Sequence, residues 1–135
     1  MAVSDRTQLK GIRLLLVEAD EEYVRVLCKR LGKRGIRATS ALSGAEAIQV
    51  LRRQDFDAVI LDLKMEDMDS IEVLKILRQM DPGLPVILLA GHGSGKSARE
   101  GVAHGAFDYL TKPCELEELL VKIENASLGG GGQVD

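Results

Sequence analysis

The sequence predicts a single α/β domain in which five parallel strands, covered by helices on both faces, form a doubly wound (βα)5 sheet. Three observations lead there. Short aliphatic runs alternate along the chain with longer stretches of helical spacing. Several of those runs are apolar without alternation, as strands buried on both faces must be. The length of 135 residues suits one domain and leaves no room for a second.

Taken in order, the strand-like runs are Ile12–Val17, Ile36–Ala41, Asp57–Asp62, Pro85–Ala90 and Ala106–Leu110. In the first helical stretch Val24, Leu27 and Leu31 share a face. The second opens at Ser43 with Glu46 three residues on, a capping box, and carries Ala47, Ile48 and Leu51. The third holds Val73, Leu74 and Leu77 and stops at Asp81-Pro82-Gly83. Between Ser94 and His104 the helical pattern is weakest, diluted by Gly95, Gly101 and polar residues. The last helix follows Pro113, with Leu116, Leu119, Leu120 and Ile123 on one stripe. Strands one, three and four are the most apolar and belong in the middle, which gives the flavodoxin-like order 2-1-3-4-5 with right-handed crossovers. Residues 1–10 read as an N-terminal extension, 11–127 as the domain, and 128–135 as a flexible Gly-rich tail.

Composition narrows the function. Apolar residues make up 45% and charged residues 29%, with a net charge of −3, the balance of an ordinary soluble globule. No basic stripe suggests direct nucleic-acid contact, and no apolar run is long enough for a membrane helix. Cys28 and Cys114 lie far apart, without metal-ligand spacing or a signal peptide ahead of them, so a reducing cytoplasmic setting is expected.

In an open doubly wound sheet, ligands bind beyond the carboxyl ends of the strands. Those ends carry Glu18, Asp20 and Glu21 after strand one, Asp62 and Lys64 at strand three, Ala90 at strand four, and Lys112-Pro113 after strand five. An aspartate closing the apolar run Ala58–Leu61 is left at the rim, where it can act as a nucleophile, bind a divalent cation, or do both. A lysine beside it would hold it ionised and neutralise a transferred phosphoryl group. Singly, each residue reads as a loop cap or a surface ion pair. Their coincidence at three strand ends around one crevice points to chemistry.

The stretches Leu14–Asp20, Val59–Met65 and Gly105–Pro113 resemble the receiver domain of bacterial two-component response regulators, over about residues 11–125 and in the family's order and spacing. The resemblance implies a phosphorelay domain, not an enzyme beyond its own phosphorylation and dephosphorylation. A sensor histidine kinase or phosphotransfer protein would pass a phosphoryl group to Asp62 to form an aspartyl phosphate. Lys112 would contact that group, with the bond to Pro113 cis, and Tyr109 would be the aromatic whose rotamer reports the switch. Mg²⁺ would be held by Glu18, Asp62 and the Lys64 carbonyl, with Asp20 as a further donor. Output would pass to a downstream protein through the fourth helix, fifth strand and fifth helix, near Ser97–His104, Ala106–Leu110 and Glu115–Ile123.

Two departures from the family pattern weaken that reading. The second of two adjacent acids after strand one is Ala19, whose methyl cannot ligate a hard cation. The hydroxyl residue ending strand four is Ala90, which offers no donor to a phosphoryl oxygen. The loop after the acceptor also has Glu66 and Ser70 where Pro and Gly are usual. Weakened Mg²⁺ binding and switching are therefore expected, and the alternative is a phosphorylation-independent pseudo-receiver acting as a protein interaction module. A nucleotide-binding reading rests on Ala90–Ser97, a relaxed phosphate-loop pattern after an apolar strand. It is disfavoured because the motif follows the fourth strand while the first strand-to-helix turn is acidic. The same acidic turn argues against a flavin or dinucleotide.

Overall fold

A computed structural model describes residues 9–129 of the chain. In chain order the elements are β1 (Arg13–Val17), α1 (Glu21–Gly32), β2 (Arg37–Ala41), α2 (Gly44–Arg53), β3 (Ala58–Asp62), α3 (Ser70–Met80), β4 (Val86–Ala90), α4 (Gly95–Ala103), β5 (Asp108–Thr111) and α5 (Leu116–Gly129). All neighbouring strands pair in parallel, in the order β2-β1-β3-β4-β5. That is the predicted doubly wound sheet.

Alternation along the strands divides the core in two. Leu14, Leu16, Ile60 and Leu89 point to one face, where Leu27 and Leu31 of α1 and Leu120 and Ile123 of α5 cover them. Leu15, Val17, Val59, Leu61 and Leu88 point to the other, against Leu51 of α2 and Val73, Leu74 and Leu77 of α3. The strands β1, β3 and β4 are almost wholly buried because helices press on both sides, which is why their sequences show no polar alternation.

Helix starts follow the sequence closely. Ser43 caps α2 by accepting from the Glu46 amide, and the Glu46 carboxylate accepts from the Leu42 amide, one residue outside a strict capping box. Asp20 and Asp69 cap α1 and α3 in the same way.

The first four strands each begin one residue later than predicted, and three other boundaries differ. The fifth strand begins at Asp108 and ends at Thr111: the Ala106 amide still bonds back to Gly101 of α4, and the first bond to β4 is from the Phe107 amide to the Val86 carbonyl. The last helix runs on to Gly129, so Leu128 and Gly129 belong to it and not to the tail; the tail residues 130–135 lie outside the described residues. Leu9, assigned to the N-terminal extension, is fully buried in the core on the α1–α5 side of the sheet, and Gly11 donates to the Gly35 carbonyl. Residues 1–8 of that extension also lie outside the described residues.

The helix with the weakest sequence pattern, α4, has a packing reason for its glycine. A Cβ on Gly101 would stand 2.3 Å from Leu88 Cδ1, so the helix backbone rests directly on β4. Alanine would gain about 1 kcal/mol in helix propensity, but overpacking of this kind costs about 1–3 kcal/mol. Gly101→Ala is expected to lower stability in urea titrations, and a raised midpoint would refute the close approach.

Candidate functional site

Three strand ends meet at one rim. The ladder carries β1 one step further, since the Glu18 amide donates to the Ala41 carbonyl and leaves the Glu18 side chain at the crevice. Asp62 is the last residue of β3, paired with Leu89, and the Leu63 amide donates to the Leu89 carbonyl. Lys112 follows β5 directly, with its amide bonded to the Ala90 carbonyl and a cis peptide bond to Pro113. Parallel pairing thus delivers two acids and one lysine to the same end of the sheet.

The side chains join. Lys112 Nζ lies 2.7 Å from Glu18 Oε1 and 3.2 Å from Asp62 Oδ1. Both carboxylates are only 3% exposed, so the lysine is the counter-charge that their burial requires. The second Glu18 oxygen accepts from the Asp20 amide at 3.1 Å. The second Asp62 oxygen accepts from the Lys64 amide at 3.3 Å, which closes the turn after β3. The Tyr23 ring lies beneath the ammonium, with its centroid 4.7 Å away.

Electrostatics follow from this crowding. Burial pushes the Asp62 carboxyl above the usual carboxylate range, the Glu18 charge adds to that, and Lys112 only partly opposes it. For Lys112, burial acts to lower the ammonium's value, but the Glu18 hydrogen bond and the charges of Asp62 and Glu18 outweigh it and the net shift is upward. Tyr23 is raised chiefly by burial.

Of the residues singled out from sequence, Glu18, Asp62, Lys112 and the Lys64 backbone come together. Asp20 is exposed and its carboxylate caps α1 through the Tyr23 amide. Ala90 is fully buried, and Tyr109 is half-buried on β5 against the α2–α3 side of the core. The stretch Ala90–Ser97 is the link from β4 into α4, and Gly91 and His92 line a cleft with Tyr23 and Lys112.

Two contributors escaped the sequence reading. Ser70, where the family usually has glycine, is buried and its hydroxyl donates to the Asp62 carbonyl at 2.7 Å, fastening the start of α3 to the end of β3. Asp67 accepts from the Gly44 and Ala45 amides and docks the same loop on the first turn of α2, and those backbone bonds hold its carboxyl below the usual range. The acid-rich loop sequence was the available signal, since helix N-termini attract carboxylates.

With this geometry in view, the comparisons with known proteins are decisive. The sequence pattern of the response regulator receiver domain matches residues 14–124. The chain belongs to that family. Transcriptional regulatory protein GlrR of Escherichia coli (strain K12) is 38% identical over 117 residues, 87% of this chain and 26% of that protein. ZraR of the same strain is 34% identical, over 86% of this chain and 26% of that protein. The chain therefore spans about a quarter of the length of these curated relatives. Among solved structures, the receiver domain of Francisella response regulator 1452 superposes with a TM-score of 0.77 at 31% identity, covering 84% of this chain and 93% of that one. A response regulator receiver domain protein from Clostridium thermocellum gives 0.83 at 27% identity, covering 86% and 94%.

Receiver domains generally bind Mg²⁺ beside the acceptor aspartate, so this receiver's donors can be tested for fit. A divalent ion needs several oxygens free to converge on one point. Here one Glu18 oxygen is paired with an ammonium and the other with an amide, Ala19 offers a methyl, and Asp20 is turned to cap α1. Among the described residues no three His, Cys, Asp or Glu side chains are grouped to hold a metal. In this arrangement the residues present do not fit a divalent ion.

The buried Asp62 carboxyl makes stability depend on pH. Its value is raised in the folded state, so the folded chain holds its proton to higher pH and loses stability as pH rises from the ordinary carboxylate range through the raised value. Asp62→Asn removes that penalty. The variant is expected to melt above the parent at pH 7, and the advantage should vanish below the ordinary carboxylate range; a lower melting temperature at pH 7 would contradict the assignment.

Proposed function

We propose that this receiver accepts a phosphoryl group on Asp62 from a sensor histidine kinase or phosphotransfer protein. The observation that carries the reading is the buried Asp62 carboxylate at a strand's end with the Lys112 ammonium 3.2 Å from it. A carboxylate so placed can attack phosphorus, and the ammonium can neutralise the charge that arrives. The chain's own role is that of an acceptor, with catalysis confined to gaining and losing its phosphoryl group.

Switching is weak in this reading. The buried methyl of Ala90 gives a phosphoryl oxygen no hydrogen bond, so the β4–α4 loop receives little pull toward Asp62. Output passes to a downstream protein through α4, β5 and α5. On that side Val102 and Val121 are exposed and Lys122 pairs with Asp108. Direct nucleic-acid contact by this domain has no support in its net charge of −3. No helix among the described residues is long and apolar enough to cross a membrane.

The same Ala90 favours a second reading, in which the fold serves as an interaction module whatever the state of Asp62. Intact mass after incubation with acetyl phosphate separates the two. One added phosphoryl group, absent in Asp62→Asn, is the expected result. An unchanged mass under every condition would leave the interaction module.

A further inference from the structure

We propose that the Lys112 ammonium, anchored by Glu18, is the resident cation of this acidic pocket, and that phosphorylation of Asp62 uses no divalent ion. The proposal rests on the phosphoacceptor reading and deepens it. Lys112 Nζ is within contact distance of both buried carboxylates, 2.7 Å and 3.2 Å, so it sits at the point they share. An ion bound through those same two oxygens would have to displace the ammonium or share them with it. The Tyr23 ring backs the ammonium at 4.7 Å, giving the cation a third fixed neighbour that favours positive charge without supplying a ligand oxygen.

The rest of the pocket agrees. Glu18 has spent its second oxygen on the Asp20 amide, which fixes the carboxylate and aims its first oxygen at Lys112. Its extra methylene, compared with aspartate, gives it reach from the end of β1 toward a lysine that follows β5. Ala19 removes the acid that would otherwise compete for the ion, and Asp20 is committed to α1. Two carboxylates and one ammonium leave a single net negative charge, where the two acids without the lysine would leave two. A divalent ion added beside Lys112 would place two cations against each other. Glu18 is thus a positioning residue that acts through Lys112.

The transfer balances without a metal or a proton. An oxygen of Asp62 forms a bond to the phosphorus of an acyl phosphate, the bond from phosphorus to the leaving carboxylate breaks, and acetate departs with the electron pair. The new phosphoryl group then faces the ammonium that had been shared between Asp62 and Glu18.

The test uses the full chain, isotopically labelled for NMR and probed with Mg²⁺ alone. Amide signals of residues 18–20 and 62–64 are expected to stay in place through the millimolar range. Lys112→Met, which leaves the two carboxylates facing each other, is expected to gain saturable shifts at those residues, and the spectrum itself reports that the variant is folded. Acetyl phosphate is expected to label Asp62 equally in EDTA and in Mg²⁺. Glu18→Gln should slow labelling about tenfold without rescue by excess Mg²⁺, whereas a lost metal ligand would be rescued. Saturable Mg²⁺ shifts in the parent, labelling abolished by EDTA, or no gain of binding in Lys112→Met would each overturn the inference while leaving Asp62 as acceptor. No labelling under any condition would instead overturn the acceptor reading and the metal-free transfer with it; the Mg²⁺ titration would still decide whether the ammonium excludes the ion.

Discussion

One ammonium holds three strand ends together. Glu18 leaves β1, Asp62 closes β3 and Lys112 follows β5, so the single cation spans the middle and one edge of the sheet. Each acid alone would be a buried charge without a partner, a state that costs several kcal/mol. The lysine turns that liability into a fixed geometry. The loops respond to the same constraint: the Lys64 amide braces Asp62, and the Asp20 amide braces Glu18. The pocket's order therefore comes from electrostatics that strand pairing brings into range.

Around that centre, backbone contacts stand in for residues that the family usually has. The loop after β3 lacks the usual proline and glycine, yet it is pinned at two points, by Asp67 on the first turn of α2 and by the Ser70 hydroxyl on the Asp62 carbonyl. Gly44 makes the first of these possible, because a Cβ there would lie 2.7 Å from Val73 and 3.1 Å from Met68. The position of Asp62 is thus held even though the loop lacks the family's usual proline and glycine.

Most of the fold was legible because the apolar periods are strong. Buried parallel strands read as continuous aliphatic runs, and Ser43 with Glu46 marks the start of α2 by chemistry that a sequence displays directly. What stayed hidden depended on neighbours distant in the chain. Nothing local marks Leu9 as a core residue, since the cluster it joins is built from residues far along the chain. Gly101 looked like a helix weakener until Leu88 was seen beneath it. In the site, the residue types converging on the crevice are readable from strand ends alone. Their partners are not: Glu18 reaches a lysine 94 positions away, and the Asp20 carboxylate turns to its own helix.

The buried Leu9 also fixes the molecule's polarity. Leu9 and Gly11 sit beside Gly35 and Ile36, where β1 and β2 begin, while the pocket opens where β1 ends. A five-residue strand separates those poles by roughly 16 Å at the usual rise per residue. Any tether attached ahead of Leu9 therefore joins the domain at the pole opposite its acidic crevice, so the chain can be held on a surface by that end with the crevice facing outward.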